Sequence, residues 1–454
     1  MSPAVTDRDV RATFARDASG LEMLPDDVLR PRDEGDVSDA LAQATAARTT
    51  ITPAGAQTST TGASITERGS LMSMRAFDRV LGVDAAARTV RVQCGVRLGA
   101  LRRACAEHGL LFAPDPTSEE DCTVGGAIAC NASGARSFAY GVTRAHVRGV
   151  RVAFADGRVE DFARPRLEKN TAGYAMAQDP VDWFVGSEGT LGVVLEAEFG
   201  LLPLPRRVTG LAIPFPSQRT ALAFVVAARE SGTIAPRCLE YTNEEATGFM
   251  RTAAGDAQWA RGAAAMVYAE DAGDDDEAPL DAWLSLIEAH AGLADDLRTF
   301  EGEAALREAR RLRHAVPAAM HERAGRYRAA GGRRISTDWA VPHRSLATVL
   351  AASDCICDAH GIAHPVVFGH AGNGHPHQNW VATQPDDVRA MEAVVEETLR
   401  VVIAHGGTIA AEHGIGKIKK RFLPMQMGER QFAAMRALKQ SLDPAGVLAP
   451  GNLW

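Results

Sequence analysis

The chain has 454 residues, 46% of them hydrophobic and 23% charged, the composition of a globular protein with room for two or three packed units and unlike that of a disordered or fibrous one. Lys+Arg at 49 against Asp+Glu at 57 gives a formal net charge of −8, which argues against a nucleic-acid binder that must neutralise phosphates. The longest notable apolar stretch, Ala221 to Ala228, is far short of the roughly 20 residues that span a bilayer, and the N-terminal text MSPAVTDRDVRATFARD has no apolar signal core. A cytoplasmic protein is expected, soluble or at most peripheral to a membrane.

In chain order, residues 31–64 read β-α-β, with a Pro-flanked acidic segment, an Ala-rich helical run from Val37 to Ala47 and a β-prone piece from Thr49 to Thr52. Val80 to Leu98 alternates apolar and polar residues around a turn, and a helix from Leu98 to His108 follows. Small residues and glycines fill 114–134, after which Val150–Phe154 and Val159–Phe162 form a strand pair joined at Asp156-Gly157. The proline-punctuated LLPLPRRV (Leu201 to Val208) reads as a domain boundary, and longer Ala-rich helices follow. The acidic run DAGDDDEAP, Asp271 to Pro279, reads as a solvated loop tip. Ten of the 13 histidines lie from His314 onward, so metal or proton chemistry is expected there.

Seven cysteines (Cys94, Cys105, Cys122, Cys130, Cys238, Cys355 and Cys357) contain no C-x-x-C and match neither a disulfide framework nor an iron–sulfur ligand set. No G-x-G-x-x-G joins a strand to a helix, so a Rossmann site has no support. Gly416-Lys417 fails as a P-loop, with Ala411 in place of its first glycine and Ile418 where Ser or Thr should stand. Gly186-Ser187-Glu188-Gly189 lacks the spacing of a nucleophile elbow.

Three small-residue loops remain: PAGAQTSTTGAS (Pro53 to Ser64), PDPTSEEDCTVGGAIACNASGARS (Pro114 to Ser137) and VGSEGTLG (Val185 to Gly192). Such loops let backbone N–H groups close around a bulky anionic ligand. Each alone reads as a plain turn. Together, in this order, they resemble the flavin-binding loops of the FAD-linked oxidases of the vanillyl-alcohol-oxidase type, from Leu29 to the terminal LDPAGVLAPGNLW. The family's P-x-G-x-G-T-S loop has Gln57 in place of its second glycine, and its PDP…GG…N segment is kept as Pro114, Asp115, Pro116, Gly125, Gly126 and Asn131.

The resemblance implies an α+β fold. It gives a PCMH-type, two-subdomain FAD-binding domain over 1–205, an α+β substrate (cap) domain with an antiparallel sheet over 206–405, and a C-terminal segment, 406–454, that returns to the FAD domain. The implied FAD contacts are Pro53, Gly55, Ala56, Gln57, Thr58 and Ser59 in the first loop. In and after the second loop they are Pro116, Thr117, Gly125, Gly126, Asn131, Ser133, Gly134, Ser137, Tyr140 and Gly141, and further on Glu188, Gly189, Gly192, Val193 and Asn452. Neither of the first two loops contains His, so non-covalent flavin is expected.

In FGHAGNGHPHQNW (Phe368 to Trp380), a two-residue type I′ turn at Asn373-Gly374 would pair 372/375, 371/376 and 370/377. His370 and His377 would then face each other on the side that carries His375, an arrangement better suited to metal ligation than to core packing. AAEHGIGKIKK (Ala410 to Lys420) places a carboxylate beside a histidine; read alone, EHG is equally a helix end with a Gly cap. With the hairpin, it resembles the metal site of the D-2-hydroxyacid dehydrogenases of this flavin family. By that match His370, His377 and Glu412 are ligands of a divalent metal, zinc or manganese, and His413 is the base. RLRHAVP (Arg311 to Pro317) resembles the segment whose arginine, here Arg313, holds the substrate carboxylate. Ser336 stands where some relatives have a substrate-contacting lysine, and His375 where they often have asparagine.

The implied reaction oxidises a D-lactate-like D-2-hydroxy acid to its 2-oxo acid by hydride transfer to flavin N5. With no NAD site visible, the electrons would pass to a quinone, a cytochrome, an electron-transfer flavoprotein or dioxygen, and a homodimer is a possible assembly. Two other readings stay open: a flavin oxidase of a bulkier alcohol or sugar acid with the histidines as a proton relay, and a non-catalytic flavin subunit of an electron-transfer complex.

Overall fold

The structure is a computed structural model describing residues 4–275 and 279–454. It divides into two compact units, unit 1 comprising Met1–Gly134, Gly141–Leu204 and Glu412–Trp454, and unit 2 comprising Ala135–Tyr140 and Pro205–Ala411. Among the described residues no helix is long and apolar enough to cross a membrane.

In unit 1, β1 (Asp27–Leu29), α1 (Glu34–Ala47), β2 (Ile51–Ala54) and β3 (Ser70–Ser73) form a helix and a parallel sheet of order β1-β3-β2. The helix begins at Asp33, whose carboxylate accepts from the Asp36 N–H at 2.9 Å. It buries Val37, Ala40, Leu41 and Ala44, the i, i+3, i+4, i+7 stripe of an amphipathic helix. The C-terminal tail adds to the same sheet, because Ile51 donates to the Val447 carbonyl and Ala449 to that of Ile51, both at 2.8 Å.

A second, antiparallel sheet of order β4-β5-β8-β6-β7 is built from β4 (Val80–Asp84), β5 (Thr89–Gln93), β6 (Val147–Ala153), β7 (Val159–Ala163) and β8 (Val193–Gly200). In β8 strict alternation buries Val193, Leu195, Ala197 and Phe199. Between β5 and β6 run α2 (Leu98–Ala106) and the short α3 (Val124–Cys130). The latter starts at Thr123, whose Oγ1 accepts from Gly126 N–H, and ends in the left-handed conformation at Asn131, φ 50°.

Unit 2 is a seven-stranded, wholly antiparallel sheet of order β12-β9-β11-β10-β14-β15-β13. Its elements are β9 (Arg207–Phe215), α4 (Gln218–Glu230), β10 (Pro236–Asn243), α5 (Glu244–Ala254), β11 (Ala265–Gly273), β12 (Arg298–Glu301), α6 (Gly302–Gly325), β13 (Arg333–Ser336), α7 (Leu346–His360), β14 (Val366–His370), β15 (His375–Ala382) and α8 (Pro385–Ala404). One face packs Val366, Phe368 and Met266 against Met250 of α5 and Leu312, Val316 and Met320 of α6. The other face packs Ile335, Trp380 and Ala382 against Cys357 of α7 and Met391 and Val394 of α8.

Three local expectations are corrected. The β14–β15 hairpin pairs His370 with His375 and Phe368 with His377, not His370 with His377. Its connection is a helical turn over Ala371–Asn373 closed by Gly374 at φ 66°, because this loop is held from outside: Val341 donates to the Gly374 carbonyl at 3.0 Å. A Cβ at Gly374 would lie 1.9 Å from the Val341 oxygen, so that approach requires glycine. Second, Glu412-His413-Gly414 is not a helix end but irregular chain. Third, Asp271 is no solvated loop residue. It is 1% exposed, pairs with Arg207 at 2.9 Å and accepts from Trp283 Nε1 at 3.0 Å; Asp276, Glu277 and Ala278 of that run lie outside the described residues.

Residues 135–140, which the sequence groups with the flavin loops, belong to unit 2. Arg136 pairs there with Glu270 at 2.9 Å, beside Arg237 at 2.7 Å. Burial pushes the Glu270 carboxyl up, but the two guanidinium groups outweigh it and hold it well below its ordinary 4.5. A depressed folded-state value means that this contribution to stability is complete above about pH 4.5 and is lost as the pH falls below it. Glu270→Gln should therefore flatten the acid limb of stability against pH in thermal melts. Near neutrality it should cost about 3–5 kcal/mol, because two buried cations lose their counter-ion.

Candidate active site

Unit 1 holds a cavity of about 520 Å³, within the range of about 300–1,000 Å³ typical of cofactor sites. Fifteen of the expected flavin contacts line it: Pro53, Gly55, Ala56, Gln57, Thr58, Ser59, Pro116, Thr117, Gly125, Gly126, Ser133, Glu188, Gly189, Gly192 and Val193. The lining residues are mostly small, and the loops include contacts only glycine permits. A Cβ on Gly55 would lie 2.1 Å from Thr123 Oγ1.

Gln57 adopts φ 60°, the left-handed conformation for which glycine is the easy choice. Its amide offsets the strain by donating to the Phe14 carbonyl at 2.8 Å and that of Arg16 at 3.2 Å. Glutamine thus holds a left-handed turn at the position where the family has glycine.

The remaining expected contacts are not on the cavity wall. Asn131 caps α3 and accepts from the Arg144 N–H at 2.9 Å. Gly134 is packed so closely on Asp115 that a Cβ would come within 2.1 Å of its carbonyl. Gly141 turns the chain at φ 82°, and Ser137 and Tyr140 belong to unit 2. Asn452 acts as a brace, donating to the Ala63 and Glu188 carbonyls and accepting from Lys417 Nζ at 2.7 Å.

Glu188 accepts from the backbone N–H groups of Ile415 at 2.6 Å and Gly416 at 2.8 Å, fixing the chain just beyond Glu412 and His413. Burial raises its carboxyl above the ordinary value despite those bonds. Cys122 and Cys130, also on the wall, are pushed up by burial to about 11 and about 12; such thiols stay protonated and are poor nucleophiles.

Glu412 and His413 complete the wall. Ser133 Oγ donates to Glu412 Oε2 at 3.3 Å, and His413 Nε2 lies 3.6 Å from Glu412 Oε1. An imidazole and a carboxylate thus stand at a space that accommodates a flavin.

In unit 2 the histidines converge. His370, His375 and His377 are buried, with ring centroids 5.2 Å (370–375), 5.4 Å (370–377) and 4.5 Å (375–377) apart, and each offers a ring nitrogen within 4.8 Å of the others. The hairpin register differs from expectation by one residue on each strand, so the alternation of faces is unchanged and all three still share one side. His370 Nδ1 lies 2.6 Å from Glu240 Oε1, and His377 Nδ1 lies 3.4 Å from the Thr337 carbonyl. Acceptors at Nδ1 favour the tautomer that leaves Nε2 with its lone pair, as in metal-ligating histidines. Asp338, 3.2 Å from His375 Nε2, adds a carboxylate. The donor set fits a divalent metal of borderline hardness.

Glu240 and Asp338 were not legible as site residues in the sequence. Glu240 joins His370 to Arg313, whose Nε it binds at 2.5 Å. Burial pushes its carboxyl up, yet Arg313 and His370 outweigh this and hold it at about 2. Arg313 is therefore no surface arginine of α6, but is aimed at the histidine cluster by a carboxylate. The signal available was a single acidic residue inside the apolar strand text CLEYT.

A cofactor-sized cavity lined mainly by small residues, in a unit with a parallel and an antiparallel sheet followed by a unit built on an antiparallel sheet, fits a flavin-linked oxidoreductase of the PCMH type. The chain belongs to the FAD-linked oxidases. Residues 204–453 match the family's C-terminal domain and residues 25–163 the FAD binding domain. It is 31% identical over 455 residues to the glycolate oxidase subunit GlcD of Bacillus subtilis, covering 98% of this chain and 92% of that one. It is 30% identical over 412 residues to the D-2-hydroxyglutarate dehydrogenase of Xanthomonas citri pv. viticola (89% and 84%), and 30% identical over 432 residues to the D-lactate dehydrogenase of Archaeoglobus fulgidus (94% and 90%). Alkyldihydroxyacetonephosphate synthase shares the fold, with a TM-score of 0.73 at 18% identity over 98% of this chain and 83% of that one.

Proposed function

We propose that the protein is an FAD- and divalent-metal-dependent dehydrogenase that oxidises a D-2-hydroxy acid of the lactate type to the corresponding 2-oxo acid. The observation that carries this reading is His413 beside Glu412 on the wall of the flavin-sized cavity, in a chain whose relatives include proteins named D-lactate and D-2-hydroxyglutarate dehydrogenase.

FAD, when bound, supplies the acceptor for the two electrons and the α-hydrogen that leave the substrate. His413 takes the hydroxyl proton at Nε2, with the Glu412 carboxylate stabilising the imidazolium that forms. Arg313, oriented by Glu240, faces the substrate carboxylate. His370 and His377 would hold the divalent ion, which would make the α-hydroxyl more acidic. Glu412 is a further ligand by the family resemblance, and the metal content of Glu412→Gln tests it. The flavin is held without a covalent bond, the thiols on its wall being protonated. A quinone, a cytochrome or an electron-transfer flavoprotein would serve as the final electron acceptor.

The test is a screen of D- and L-2-hydroxy acids with an artificial dye acceptor, before and after chelation, on protein whose flavin is released to the supernatant by acid. Turnover of D-acids that chelation abolishes supports the reading. Chelation-resistant turnover of a bulkier alcohol would replace it with a metal-free flavin oxidase, and no turnover at all with a non-catalytic flavin subunit.

A further inference from the structure

At one edge of the seven-stranded sheet β13 and β15 pair Arg334 with Val381 and Ser336 with Asn379. Residues directly opposite share a face and alternate residues along a strand return to it, so Arg334, Ser336 and Asn379 lie on the side of the sheet that carries His375 and His377. Asn379 follows His377 by two residues and donates from Nδ2 to its carbonyl at 3.1 Å. At about 3.3 Å per residue, that places Asn379 roughly 7 Å along the strand from His377.

Arg334 Nε donates to Asn379 Oδ1 at 2.7 Å. That partner is a neutral amide. Among the described residues no carboxylate lies within ion-pair distance of this guanidinium and neither terminal nitrogen has a hydrogen-bond partner. Arg136, Arg207, Arg237 and Arg313, also half-buried or buried in unit 2, differ in that each meets a carboxylate. Burial pushes the Arg334 guanidinium down to about 10 with nothing opposing it. A partly desolvated guanidinium without a counter-ion is unfavourable, and its planar fork suits a carboxylate. Ser336, next along this face, is exposed, so the approach to Arg334 is open.

We propose that Arg334 receives a second, distal carboxylate of the substrate, so that the site selects 2-hydroxy diacids over a short monoacid. This rests on the D-2-hydroxy-acid reading above and goes beyond it by naming the substrate class and the residue that sets it. The reacting end is held at the histidine cluster while the distal carboxylate lies along β15, at the fork Asn379 holds in place.

The test compares the holoenzyme with its Arg334→Gln and Arg334→Lys variants. It measures kcat/KM for D-malate, D-2-hydroxyglutarate and D-lactate with a dye acceptor. The parent should favour at least one diacid over lactate by tenfold or more. Arg334→Gln should lower that ratio by about 10–100-fold, the worth of a charge-assisted pair, chiefly through KM, and Arg334→Lys should restore part of it. A parent ratio near one, or a ratio that Arg334→Gln leaves unchanged, overturns the proposal while lactate turnover keeps the hydroxy-acid reading standing. If neither class of acid is turned over, the hydroxy-acid reading falls and this one with it.

Discussion

His413→Asn should slow flavin reduction by about 10²–10⁴, the usual cost of removing a general base, with FAD content unchanged. The side chain is on the cavity wall and only 28% exposed, and its neighbour Glu412 is held by Ser133, so the variant removes one proton acceptor while that bond to Glu412 remains. Asparagine keeps the polarity and much of the volume without a titratable nitrogen. Single-turnover mixing with substrate isolates this step from whatever acceptor follows it. A variant that reduces its flavin at nearly the parent rate would move the base elsewhere, and His375 would be the next residue to test.

The second large effect concerns metal. His370→Ala and His377→Ala should each empty the metal site, measured by elemental analysis, and lower turnover by the several kcal/mol of barrier that Lewis-acid polarisation supplies. FAD content should stay at the parent level, because every residue lining the flavin-sized cavity belongs to unit 1 whereas both histidines belong to unit 2. His370→Ala also strands Glu240 against Arg313, so some loss of stability should accompany it. His377→Ala leaves that pair untouched and gives the cleaner measurement. Unaltered metal content in both variants sinks the ligand assignment.

The loops that line the cavity were legible in the sequence because they are local. Runs such as PAGAQTST and VGSEGTLG owe their conformation to glycines and small residues within a few positions, and 15 of the expected contacts line the cavity. The histidine face was legible for a similar reason, since a period of two puts His375 and His377 on one side whatever the register. The register itself was not, because Asn-Gly favours a tight turn and only the long-range bond from Val341 to Gly374 selects the longer loop. Glu240 escaped because its meaning lies 130 residues away at His370. Asp271 was misread for the converse reason. An acidic run looks solvated until Arg207 and Trp283 are seen to close over its first member.

The most direct test of the central claim is anaerobic mixing of the FAD- and metal-loaded protein with paired D- and L-2-hydroxy acids while the visible absorption of the flavin is followed. Bleaching by a D-acid, with the matching 2-oxo acid formed in a 1:1 ratio to reduced flavin, none by its L-isomer and none after chelation is the predicted result. Bleaching by the L-isomer, equal bleaching after the metal is stripped, or an oxidised flavin that no hydroxy acid reduces would contradict it.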